Sequence, residues 1–242
     1  MSKLSLAGLF LLQAVVAGAA EPYASWKLDG SYAAGGSQPL RMGPVGTPSF
    51  DDAGVSGKCV RLDNAASGQG MRVVLGEFRT ATDLTFTAWV RFTTQEGGFS
   101  DTAPHNIVRF WGKTPEGQAA VLDLRVRDGV MDVYYTNPAR NLQAGNLAVP
   151  VGQWVFVAVV VEGDSLSIVL NDARRSFPIA GPQSYETMTV GTVAQGSRRG
   201  VNGWMDEVSL YDEALSPEEL GLLYRQGREA LANGAGAAGG GR

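Results

Sequence analysis

One cysteine and one histidine in 242 residues remove more functions than any motif adds. Cys59 alone cannot form an internal disulfide. With His105 the single histidine, no His or Cys set has metal-ligand spacing. A Gly-x-Ser-x-Gly elbow and a phosphate-cradling glycine loop are also missing. The chain has no basic run, and its net charge is −4, a poor balance for holding nucleic acid. Beyond the first 20 residues, no apolar run approaches the ~18 residues of a helical membrane span.

The first 20 residues read as processing, not fold. Lys3 precedes an apolar run from Leu4 to Ala17, and Ala17-Gly18-Ala19-Ala20 is small-residue cleavage chemistry. The pattern predicts a secretory signal peptide over residues 1–20, cut after Ala19 or Ala20. No cysteine follows the run to carry a lipid. The expected mature chain is therefore secreted, to the extracellular space, the cell surface or a periplasm, without a membrane span. Residues 21–232 show no composition break and form one domain. Residues 233–242 (NGAGAAGGGR) are low-complexity and are expected to be disordered.

Glycine (32 residues) and proline (11) are plentiful, which suits an all-β chain with many tight turns. Leu84–Thr93 alternates, with Leu84, Phe86, Ala88, Val90 and Phe92 on one face and Thr85, Thr87, Trp89 and Arg91 on the other. Asp128-Gly129 joins strands 121–127 and 130–135. Gly163-Asp164 joins strands 153–162 and 165–171, and 174–179 continues as a third. Trp154 to Val161 is apolar on both faces, the mark of a central strand. Further strands fall at 26–30, 57–63, 71–75, 106–111, 187–190 and 204–211. Residues 31–48, 95–105 and 136–148 read as loops. Turns every eight to twelve residues predict a two-sheet antiparallel sandwich with one short C-terminal helix. Cys59, inside a strand, reads as a small buried hydrophobe.

The closing stretch, 203–226, carries the sharpest chemical misfit. Ser216-Pro217-Glu218-Glu219 is a helix start, with a Ser cap, a Pro at the first helical position and a Glu three residues past the cap. Leu220, Leu223 and Tyr224 follow at helical spacing. In the strand before it, Asp206 shares a side with Val208 and Leu210. A carboxylate there must be paired, hydrogen-bonded or metal-bound.

Five pieces in this order resemble the concanavalin A-like lectin/glucanase superfamily in its laminin G-like, pentraxin-like branch. They are Trp26-Lys27-Leu28-Asp29-Gly30, the strand from Gly57 to Asp63, Leu84 to Val90, Gln153 to Ala158, and Gly203 to Val208 with Tyr211, Ala214-Leu215-Ser216 and Glu219 behind it. The sequence departs from the usual pattern at Cys59 and at Asn171-Asp172. The resemblance implies a jelly-roll sandwich that often binds a structural calcium. It also implies that Asp29 and Asp206 sit near each other and could ligate that ion. Asp63 is a weaker third candidate, since an Asp beside Asn64 also builds a turn. The competing reading has Asp206 accepting backbone hydrogen bonds with no ion.

Glycoside hydrolysis needs two carboxylates in one cleft. The resemblance points to Glu-x-Asp followed by Glu on one strand; Glu162-Gly163-Asp164 is the sole Glu-x-Asp, and it lies at a turn. A lyase of this fold would need a Tyr, His and Arg or Asn set, for which His105, Asn106 and Arg109 are the available residues; a surface histidine is the plainer expectation for His105. No catalytic residue is assigned. For binding, the wet sides of three strands offer Trp89, Arg91, Arg125 and Tyr134, with Asp123, Arg127 and Asp132 among them. Aromatic rings stack on the apolar faces of sugars, and polar groups meet the hydroxyls. An ordinary sheet surface is the competing reading. The sequence thus points to a non-catalytic carbohydrate-binding or adhesion module with a structural calcium and a glycan or polysaccharide partner. A lyase or hydrolase of the same superfold, or a cell-surface structural protein that binds other proteins, is the alternative.

Overall fold

The turns set the register of the sheets. Asp128 and Gly129 have φ of 52° and 74°, the doubly left-handed pair that matches the twist of a two-residue hairpin. Asn171 holds φ 56°, and its Oδ1 accepts the Phe156 N–H at 3.0 Å. An amide side chain thus serves where glycine would otherwise be expected.

The computed structural model describes residues 20–238, apart from 39, 65–67, 77–82, 94–103, 115, 138–139, 181–182 and 195–196. The expected signal peptide lies outside the described residues, except for Ala20. In chain order the strands are β1 (Ala24–Trp26), β2 (Ala34–Gly35), β3 (Met42–Val45), β4 (Ser49–Asp51), β5 (Cys59–Leu62), β6 (Gly70–Val74), β7 (Asp83–Phe92) and β8 (His105–Lys113). They continue with β9 (Ala119–Arg127), β10 (Val130–Asn137), β11 (Arg140–Ala148), β12 (Trp154–Glu162), β13 (Ser165–Leu170), β14 (Ala173–Pro178), β15 (Ser184–Val190) and β16 (Gly203–Tyr211), and the helix α1 (Pro217–Ala238) follows.

Two antiparallel sheets result. The first runs β14-β13-β12-β7-β16-β1-β2, with β5 also on β16 and β4 on β5; the second runs β11-β10-β9-β8-β15-β6-β3. Side chains such as Trp26, Phe86, Phe92, Phe110, Leu122 and Tyr135 fill the space between them. The expected all-β sandwich is the observed one. Two expected loops hold strands instead: β2 and β3 lie within 31–48, and β11 within 136–148. All three end a sheet path, so each pairs on one side only. Their glycines and Pro44 interrupt the alternation that reveals longer strands.

The helix is longer than expected. Ser216 Oγ accepts the Glu219 N–H while Glu219 Oε2 accepts the Ser216 N–H at 2.8 Å, a closed capping box. α1 then continues to Ala238, through part of the stretch expected to be disordered. It packs outside the first sheet, over a second apolar cluster built from Trp89, Phe156, Ala158, Val160, Tyr211 and Leu220. That coverage explains why β12 is apolar on both faces. No helix among the described residues is long and apolar enough to cross a membrane.

Candidate functional site

The structure divides the four expected ligand-binding residues between two sheets. Trp89 and Arg91 lie on β7 in the first sheet; Arg125 and Tyr134 lie on β9 and β10 in the second. They do not form one face. Trp89 is buried, and its ring stacks on Tyr224 of α1 at 5.9 Å. Thr85 and Thr87, expected to be partly wet, are buried beside it; Thr85 Oγ1 donates to the Glu213 carbonyl and accepts the Leu215 N–H. The apolar side of α1 needs a surface to cover, and this side of β7 is that surface. Arg91 lies over the Trp204 ring at 4.8 Å, with Arg61 also over that ring at 5.7 Å. Trp204 Nε1 donates to Asp51 Oδ2, and this bond holds the Asp51 carboxyl below its ordinary value.

Arg125 and Tyr134 stay together on the outer side of the second sheet. Arg125 makes a two-pronged pair with Asp132, and its guanidinium lies over the Tyr134 ring at 5.1 Å. Both charges are nearly fully buried, so this pair is committed to the sheet. His105 is buried, against the surface expectation. It faces the Gly200 carbonyl through Nδ1, and burial lowers its pKa. Cys59 is a buried thiol as expected, its Sγ toward the Asp51 carbonyl; burial pushes its pKa up to about 12, so the reactive thiolate is disfavoured.

Asp29 and Asp206 grip the same turn, 55–58. Asp206 Oδ2 accepts the Val55 N–H at 2.7 Å and the Ser56 N–H at 3.4 Å, and its Oδ1 accepts the Glu207 N–H at 2.9 Å. Asp29 Oδ1 accepts the Lys58 N–H at 2.7 Å. A β-carbon on Gly57 would stand 2.4 Å from Asp29 Oδ1, so this close approach requires glycine there. Calcium needs oxygen lone pairs converging on it; here the carboxylates face the positive ends of peptide N–H groups. Among the described residues, no three His, Cys, Asp or Glu side chains converge on a metal-sized site. Both carboxylates accept backbone N–H groups, the arrangement that the competing reading of Asp206 expected. The buried carboxylate of the misfit strand is held by backbone hydrogen bonds.

The open surface is the outer side of the second sheet, where β8, β15, β6 and β3 line a groove of about 690 Å³. Cross-strand pairing arranges its side chains in two rungs. One runs Trp111, Thr187, Val74; the other runs Arg109, Thr189, Arg72, Gly43. Trp111 is 43% exposed and Val74 63%, the two large exposed apolar side chains among the described residues. Asp123 extends the second rung beneath Arg109, accepting a bidentate pair at 2.6 and 2.7 Å, and Tyr134 lies beyond it on β10. Arg41 borders the groove at the start of β3.

Sequence reasoning missed this groove, although Arg109-Phe110-Trp111 held a signal: Phe110 points into the core, so its neighbours point out. Neighbouring strands in the sheet are far apart in the chain, and no local pattern states that β15 lies between β8 and β6.

An antiparallel jelly-roll sandwich with a helix on one sheet and an open groove on the other is a lectin-like architecture. A laminin G profile, described as concanavalin A-like lectin/glucanases superfamily, matches residues 66–221, more than half of the chain, and the chain belongs to that superfamily. No curated protein sequence matches it. Among solved structures it is similar to domain 4 of AbnA, a GH43 extracellular arabinanase from Geobacillus stearothermophilus, in complex with arabinotriose. That likeness has 18% identity over 86% of this chain and 100% of the other, with TM-score 0.64. The ligand-binding domain of botulinum neurotoxin serotype D, in complex with N-acetylneuraminic acid, is 12% identical over 85% of this chain and 51% of its own, with TM-score 0.65. The binding domain of Paraclostridial Mosquitocidal Protein 1 is 14% identical over 85% and 52%, with TM-score 0.66. The chain thus spans about half the length of these toxin domains, and at such identities the likeness is one of fold.

Proposed function

We propose that the protein is a secreted, non-catalytic carbohydrate-binding module whose ligand lies in the groove of the second sheet. One observation carries this reading: an exposed tryptophan shares an open groove with arginine and threonine side chains. The Trp111 ring offers a stacking surface for the apolar face of a sugar, while Arg72 and Thr187 offer hydrogen bonds to its hydroxyls. The likeness to sandwich domains in complex with arabinotriose and N-acetylneuraminic acid supports it. Among the described residues lining the groove there is no Asp or Glu, so the carboxylate pair of glycoside hydrolysis has no counterpart among them.

Retention on a panel of immobilised polysaccharides tests the reading. Wild type should be retained on at least one of them without releasing reducing or unsaturated ends. Trp111→Ala truncates an exposed ring and leaves the core closed; it should weaken retention about tenfold or more, as loss of an aromatic anchor does. Product release would sink the non-catalytic reading, and unchanged retention of the variant would move the site elsewhere.

A further inference from the structure

We infer that the groove selects an acidic saccharide, one bearing a carboxylate or a sulfate; this rests on the reading of the groove as a saccharide site. Three arginines line it, Arg41, Arg72 and Arg109, with no carboxylate among the described lining residues; Asp123 beneath offsets the charge of Arg109, so the positive excess lies with Arg41 and Arg72. The whole chain is acidic, at −4, so the local excess of positive charge runs against the bulk composition. Arg109 is held from below by Asp123, which fixes its guanidinium in place. Arg72 is exposed on its strand. Thr189 lies between them in register, and its Oγ1 is buried with no hydrogen-bond partner.

With strands ~4.8 Å apart, Arg109 and Arg72 stand about 10 Å from each other across β15. An anionic group above Thr189 can accept from both guanidinium groups. The neighbouring rung places Trp111 and Val74 one step along the strands, where the apolar face of the same or the next sugar ring would rest. Gly43 closes the arginine rung with no side chain. A β-carbon built there meets nothing within 4 Å, so the groove stays open at that end.

Matched oligosaccharide pairs test the inference by titration calorimetry on the full chain. One pair is oligogalacturonate and its methyl ester; the other is a sulfated galactan oligosaccharide and its desulfated form. At least one acidic member should bind more than tenfold tighter than its neutral partner, and the pair that does so separates carboxylate from sulfate recognition. Arg72→Gln should remove about tenfold of that preference, as loss of a charge-assisted hydrogen bond does, and added salt should erode it. Gly43→Tyr should block the acidic ligand without destabilising the fold, because its side chain enters open space. Neutral members binding as tightly as acidic ones, with Gly43→Tyr still blocking them, would overturn acidic selection and keep the saccharide groove. Binding that ignores both Gly43→Tyr and Trp111→Ala, or no binding at all, would overturn both.

Discussion

Asn64 does more for the fold than its place in a turn suggests. Its Nδ2 donates to the carbonyls of Gln69, Gly191 and Val201, its Oδ1 accepts the Gln69 N–H, and its own N–H meets Asn202 Oδ1. One buried amide thus ties Gln69 to the segments at Gly191 and Val201. Asn64→Ala should cost about 3 kcal/mol, because buried carbonyls lose their donors. A lower urea midpoint at unchanged slope checks this. Asp206 makes a second prediction, with a definite sign. Burial pushes its carboxyl from an ordinary 3.8 up to about 7, outweighing its backbone hydrogen bonds; the neighbouring Glu207 charge pushes the same way. The folded chain therefore keeps a proton that the unfolded chain has lost between about pH 4 and pH 7. Stability from this group is complete below that window and falls as pH rises through it, by ~1.4 kcal/mol per pH unit crossed. Asp206→Asn should flatten the fall. The difference between the two melting curves isolates Asp206 from His105, whose burial lowers its pKa and acts with the opposite sign. The sequence revealed that Asp206 was out of place, since strand alternation is local. It could not reveal what satisfied the carboxylate, because the Val55 and Ser56 donors sit 151 and 150 residues away.

At the scale of elements, α1 and the β7 side beneath it depend on each other. Gly227 lets the helix lie against Trp89: a β-carbon there would stand 2.3 Å from the indole ring. Gly227→Ala gains up to ~1 kcal/mol of helix propensity, but it forces a buried ring to move, at about 1–3 kcal/mol. Net destabilisation is expected, read as a lower Tm, with binding in the groove on the opposite sheet unchanged once the protein is folded. A net gain in Tm would show that the helix rides loosely on the sheet. The capping box and the apolar helix positions were legible before the structure, as were the long strands and the hairpins at Asp128-Gly129 and Gly163-Asp164, because each is a short-range pattern. The surface the helix covers was not. Trp89 and Arg91 looked wet because Thr85 and Thr87 alternate with apolar residues, a pattern that a solvated face and a helix-covered face share.

On the scale of the whole molecule, the two outer surfaces have separate duties. One sheet is capped by α1, and the other keeps its β8-β15-β6-β3 side bare. Two of the edge strands carry residues that discourage further pairing. Arg174, Arg175 and Pro178 punctuate β14, and Pro44 interrupts β3, the means by which natural sheets discourage edge pairing. Ala20, where the described chain begins, packs against the same helix-side cluster as Ala230 and Leu231 near the far end of α1. Ala20 and the Ala230–Leu231 stretch of α1 therefore lie on one side of the sandwich, and the groove opens on the other. A bead, a surface or a partner attached beside Ala20 or Leu231 would leave the groove facing outward, like a palm held away from the wrist.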